Sequence, residues 1–91
     1  MANFTQYEAI TVADTAAGLT VATITGLNKA LITCEGAAIR FTLNGTTATG
    51  SVGHLLNPDD VLRLEDMREL TAFSAIRNTG VSATLRCSYG N

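Results

Sequence analysis

The chain contains no tryptophan, one proline, one histidine and two cysteines in 91 residues. Each scarcity closes off a class of function. Cys34, Cys87 and the single His54 do not form a Cys/His cluster with structural zinc spacing, so no metal staple and no cofactor are expected. One histidine is also too few for a cupin-like metal centre, which calls for several together with a carboxylate. Charged residues make up 15% of the chain and the net charge is −2, with no basic run to track phosphates. Nucleic acid is therefore not an expected partner. The longest apolar stretches are a few residues, far below the ~20 that cross a bilayer as a helix, so no membrane contact is expected either.

The opening segment Met1 to Glu8 lacks a basic n-region and a continuous apolar h-region, the two marks of a secretory leader. The expectation is synthesis in a reducing cytoplasm. A Cys34–Cys87 disulfide is the alternative, but each cysteine lies among apolar residues at period-two spacing, where a free thiol behaves as a small buried hydrophobe. The length suits a single domain over residues 1–91, and so short a chain buries only about 60–65% of its unfolded surface. With metal and disulfide set aside, oligomerisation is the remaining source of extra stability.

The space left by charge is filled by Ala, Thr and Gly, and Gly and Asn-Gly punctuation cuts the chain into short segments rich in Thr, Val, Ile and Leu. That pattern predicts strands separated by turns. Over Tyr7 to Ala13, Glu8, Ile10 and Val12 share one face. Leu19 to Thr25 reads as a second strand after a turn at Asp14 to Gly18. Lys29 to Glu35 directs Ala30, Ile32 and Cys34 inward, with Leu31 as the exception. The clearest alternation sets Ala37, Ile39, Phe41 and Leu43 against Ala38, Arg40 and Thr42. Asn44-Gly45 ends it with type I′ turn chemistry, and Thr46 to Gly53 reads as a loop or edge.

Asn57-Pro58-Asp59-Asp60 fits either a helix start or a turn. Val61 to Leu64 reads as a strand, and Glu65 to Leu70 as a short helical turn in which Met67 and Leu70 share a face. Thr71 to Asn78 and Val81 to Tyr89 are two further strands joined by the hairpin-length Asn78-Thr79-Gly80. In the last strand Val81, Ala83, Leu85, Cys87 and Tyr89 face one way. Ala38-Ile39-Arg40 and Ala75-Ile76-Arg77 echo one another but are too short to count as a repeat. Seven or eight short strands in this length predict an all-β fold, a small two-sheet, jelly-roll-like β-sandwich.

Chemistry is sparse. His54 has no acid or nucleophile at local spacing, and a lone histidine beside Leu55 and Leu56 reads as a core or loop-edge residue. Asp59, Asp60, Glu65, Asp66 and Glu69 fit no EF-hand loop, and the interspersed Arg63 and Arg68 make a salt-bridged, solvated turn the better reading. Gly45, Gly50 and Gly53 lack the Lys-Ser or Lys-Thr of a phosphate loop. No catalytic, cofactor-binding or metal residue is assigned. Phe4 and Tyr7 lie near the start, where residues 1–6 read as an extended arm able to add a strand to a neighbour, and these two rings are the candidate interface residues.

The elements Ala38 to Phe41, Leu43 to Thr46, Gly53 to Leu56, Asp59 to Leu64, Ala75 to Arg77 and Ser88 to Gly90 together resemble small structural proteins encoded by tailed bacteriophages. One departure is Pro58-Asp59-Asp60, where the family pattern has a Gly-Asp pair. The resemblance implies a virion component without an active site, made in the host cytoplasm: a capsid decoration or cement protein that binds the major capsid protein or another virion protein. A tail or fibre accessory, or a receptor- or carbohydrate-binding β-sandwich using Phe4, Tyr7 or Phe73, is the alternative. A homo-oligomer, most simply a trimer, is expected to cover unpaired edge strands.

Overall fold

The alternating apolar residues of the sequence set the sheets directly. The protein, seen here as a computed structural model that describes residues 4–91, has strands β1 (Phe4–Val12), β2 (Lys29–Glu35), β3 (Ile39–Thr42), β4 (His54–Leu56), β5 (Val61–Leu64), β6 (Ser74–Arg77) and β7 (Ala83–Gly90). Two short helices, α1 (Val21–Ile24) and α2 (Met67–Ala72), complete the elements. One antiparallel sheet has the order β1-β7-β2-β5 and the other β4-β3-β6. Every second residue of β2 and β7 is buried: Ala30, Ile32 and Cys34 on one, Ala83, Leu85, Cys87 and Tyr89 on the other. They pack against Ile39, Phe41, Leu56 and Ala75 of the second sheet in one core. Within it Phe41 and Phe73 stack with ring centroids 6.0 Å apart.

The second sheet gains a rudimentary fourth member. Beyond β1 the chain crosses the side of the sandwich, Ala17 exchanges both backbone hydrogen bonds with Ala75, and the Arg77 N–H donates to the Ala13 carbonyl. With this segment counted, the two sheets run β1-β7-β2-β5 and (13–17)-β6-β3-β4. The arrangement is the jelly-roll-like sandwich expected, its second strand reduced to a bridge.

Several local expectations are corrected. Leu19 to Thr25 is not a strand: Val21–Ile24 makes a helical turn, closed by Gly26 at φ 80°, and only Ile24 of that turn is buried. The short helical turn expected over Glu65 to Leu70 is present, displaced to Met67–Ala72, with Leu70 buried and Met67 53% exposed. Thr71 and Ala72 belong to α2, so the strand there begins only at Ser74. Asn78-Thr79-Gly80 is a turn but not a hairpin, because β6 and β7 lie in different sheets. Val81 is exposed and precedes the last strand. His54–Leu56 adds a short strand, β4, that the sequence pattern did not single out.

Asn57-Pro58-Asp59-Asp60 resolves as a turn, with the Asp60 N–H donating to the Asn57 carbonyl. Asp59 has φ 72°, the left-handed conformation that a glycine would adopt without strain. The two Ala-Ile-Arg stretches lie side by side in β3 and β6 but out of phase. Ile39 opposes Arg77 while Arg40 opposes Ile76, so they are not a structural repeat.

Candidate functional site

β1 is an edge strand, and it carries both candidate interface residues. Phe4 is 40% exposed and Tyr7 58%. Of the arm expected over residues 1–6, Phe4 to Gln6 belong to β1, with Phe4 opposite Gly90 and Gln6 opposite Tyr89 across a register shift. Residues 1–3 lie outside the described residues.

The side of β1 that is free follows from backbone parity. Cys34 directs both its backbone groups to the β5 side, its N–H to Asp60 and its carbonyl to the Asp59 N–H. Successive strand residues alternate, so Leu31, Thr33 and Glu35 bond β7, where their partners are Ser88, Arg86 and Thr84. Leu85, Cys87 and Tyr89 then bond β1 at Ile10, Glu8 and Gln6. What remains for the outer side of β1 is Tyr7, Ala9 and Thr11, whose N–H and C=O groups have no partner among the described residues. Ala13, of the same parity, uses its outward carbonyl to reach Arg77.

The side chains of Tyr7, Ala9 and Thr11 open onto the solvent face of the four-stranded sheet. Across it, Ala9 begins a row that continues through Arg86, Thr33 and Val61, and Tyr7 one that continues through Ser88, Leu31 and Arg63. Arg86 donates to Glu35 at 2.6 Å and to the Tyr7 hydroxyl at 2.9 Å. The charges at the centre of the face are thus internally matched. The hydrogen bonds that Arg86 donates to Glu35 and Tyr7 hold its guanidinium pKa well above the usual range. Val61, 54% exposed, adds an apolar spot at the far edge.

On the opposite face, β1 is anchored by Glu8. Its carboxylate accepts from the Thr20 hydroxyl and the Tyr89 hydroxyl, both at 2.5 Å, and from the Thr20 N–H at 3.2 Å. Partial burial pushes this carboxyl upward, but the bonds from Thr20 and Tyr89 outweigh it and hold the group below its ordinary value. Tyr89 is shifted up by burial and by Glu8. Cys87 beside them is pushed up to about 11, chiefly by burial. Cys34 is also raised by burial, with Asp60, Asp59 and Glu35 adding to it. Both thiols are buried and free, too weakly ionised to act as nucleophiles.

His54 lies elsewhere, in an open hollow of 410 Å³ with Thr42, Leu43, Asn44, Thr46, Val52 and Gly53. Its ring tilts over Phe41 with centroids 5.5 Å apart. The hollow pairs an imidazole with hydroxyls but has no carboxylate in its lining, and Thr42 and Asn44 already bond the Thr46 backbone. The acidic segment is committed to local structure. Asp66 accepts from the Arg68 N–H at the start of α2 and pairs with its guanidinium at 3.3 Å, Glu69 accepts from the Glu65 N–H, and Asp60 accepts from the Asn57 N–H. Among the described residues no three His, Cys, Asp or Glu side chains converge on a point that could hold a metal. No described helix is long and apolar enough to cross a membrane.

Comparison with known proteins found no matching family model, no matching curated protein and no matching solved structure.

Proposed function

We propose that this chain is a non-enzymatic structural subunit of a tailed-bacteriophage virion, a decoration or cement protein that stabilises the head by binding the major capsid protein. The observation that carries the reading is the solvent face of the β1-β7-β2-β5 sheet. It is a broad surface of Thr, Ser, Ala, Leu, Val and Tyr with Lys29 and Arg63 towards its margins and a central arginine paired to Glu35. Arg86 and Glu35 enter such a contact as a matched pair, so no unpaired charge is left at its centre. The phage resemblance of the strand and turn elements supplies the kind of neighbour. The sugar-binding alternative loses one of its rings, since Phe73 is 4% exposed and stacked on Phe41.

The test is addition of the purified chain to phage heads that lack it. The expected result is saturable binding and a higher temperature of particle disruption. Exchange of Val61 for Arg, which inserts a charge into the exposed face, is expected to weaken binding at least tenfold without unfolding the chain. Attachment to tails alone would move the assignment to a tail accessory. A chain with no affinity for heads or tails would sink the reading.

A further inference from the structure

We infer that two copies of this chain join through their β1 strands, edge to edge and antiparallel, to make one continuous sheet. The inference stands apart from the virion reading, since it concerns the isolated chain in solution. Its starting point is the run of outward N–H and C=O groups at Tyr7, Ala9 and Thr11, which is regular beyond the register shift between Phe4 and Gln6. Natural edge strands are blunted by shortness, lysine, proline, a bulge, an inward-pointing charge or a covering segment; here the bulge lies ahead of the free run, and the inward charge is satisfied within the chain. β1 has 9 residues, no lysine, no proline and one charge. That charge, Glu8, is turned away to Thr20 and Tyr89.

The other edges are protected. Residues 13–17 cover β6. β4 has 3 residues and β5 has 4, with Arg63 on its open side and Pro58 just ahead. A three-fold ring, the simplest assembly expected from the sequence, needs two different complementary edges on each subunit. The described residues offer one long free edge, and an edge of this kind is its own complement about a two-fold axis.

Regularity selects the register. Pairing must match residues that point outward, which leaves an axis beside Glu8 or an axis through Ala9 as the arrangements that use Tyr7, Ala9 and Thr11 most fully. The first pairs Tyr7 with Ala9 but sets Thr11 against Thr5, where the register shift between Phe4 and Gln6 interrupts the strand. The second sets Ala9 against Ala9 and Tyr7 against Thr11. Each such pair exchanges two backbone bonds, the small side chain sits on the axis, and an aromatic ring faces a β-branched residue. The structure therefore assigns the two-fold axis to Ala9. The two solvent faces become one surface across the dimer.

Sedimentation of the full chain from low to high micromolar concentration tests this directly, with an expected mass of twice 9.5 kDa. Ala9→Pro removes an N–H aimed at the second copy and none aimed at β7, so it is expected to leave the circular dichroism unchanged and to weaken dimerisation at least tenfold. Amide exchange supplies a second readout that needs no variant. Glu8 and Ile10 amides are protected at every concentration, whereas those of Tyr7, Ala9 and Thr11 gain protection only as the dimer forms. If Ala9→Pro fails to fold, this alternation decides alone. A monomer at all concentrations, an oligomer indifferent to Ala9→Pro, or a dimer in which the three odd-numbered amides exchange freely would each overturn the inference.

Discussion

Cys34 and Cys87 occupy neighbouring strands and the same inward face, yet the register sets Cys34 opposite Leu85 and Cys87 opposite Ile32. Diagonal neighbours of this kind stand about 7–8 Å apart, beyond the roughly 3.5–4.5 Å between Cβ atoms that a disulfide requires. The thiols are packing groups, and burial raises both. A thiol-specific reagent at neutral pH is expected to find neither cysteine in the native protein and both after denaturation. Fast labelling of the native protein would count against their burial. A pH dependence follows with a definite sign. The folded state holds the Cys87 proton more tightly than the unfolded chain does, so the neutral thiol stabilises the fold in full below pH 9.0 and that contribution is lost as pH rises towards about 11. Denaturant midpoints measured across this range should fall less steeply in Cys87→Ala than in the natural chain.

Among the turns, Gly45 and Gly53 look alike in sequence but differ in what surrounds them. Gly45 has φ 87° with open space where a Cβ would project. Gly53, at φ 132°, would place a Cβ 2.9 Å from the Phe41 carbonyl oxygen and against the backbone of β3. Gly45→Ala is therefore expected to cost about 1 kcal/mol of conformational strain. Gly53→Ala must also push β4 away from β3 and should cost more than twice that, as chemical denaturation of the two variants would show. The alternation that buries Ala30, Ile32 and Cys34, and Ala83 through Tyr89, was legible because a single exposed face per strand imposes period two. Val21–Ile24 was not. Its β-branched residues favour a strand, but Thr20 is tied to Glu8 and Gly26 turns the chain, leaving room for one helical turn at the end of the sandwich. Local spacing also cannot tell a hairpin from a crossing between sheets, which is why Asn78-Thr79-Gly80 misled. Phe4 and Tyr7 were visible as aromatics near the start. The free side of β1 was not, since it follows from pairing with β7 some 80 residues away.

The whole molecule measures 36 × 24 × 19 Å, so its core is only two sheets thick and has little material to absorb a void. Leu85, fully buried in β7, touches that core from its central sheet position. Leu85→Ala is expected to remove about 3 kcal/mol. In a domain of this size that lowers the melting temperature by roughly 15 °C, readily seen by calorimetry. A drop of only a degree or two would mean that the two sheets close over the gap.

The position of β7 also governs the order in which the molecule can be made. It lies between β1 and β2, bonding both, and β1 has no other strand of its sheet to join. During synthesis β1 emerges ahead of β7 and must wait, its backbone unpaired and its Phe4 and Tyr7 uncovered, until β7 has also left the ribosome. Only β2 with β5, and β3 with β4 and β6, can assemble meanwhile. The sheet that presents the outer face is thus completed only once β7 has come between β1 and β2.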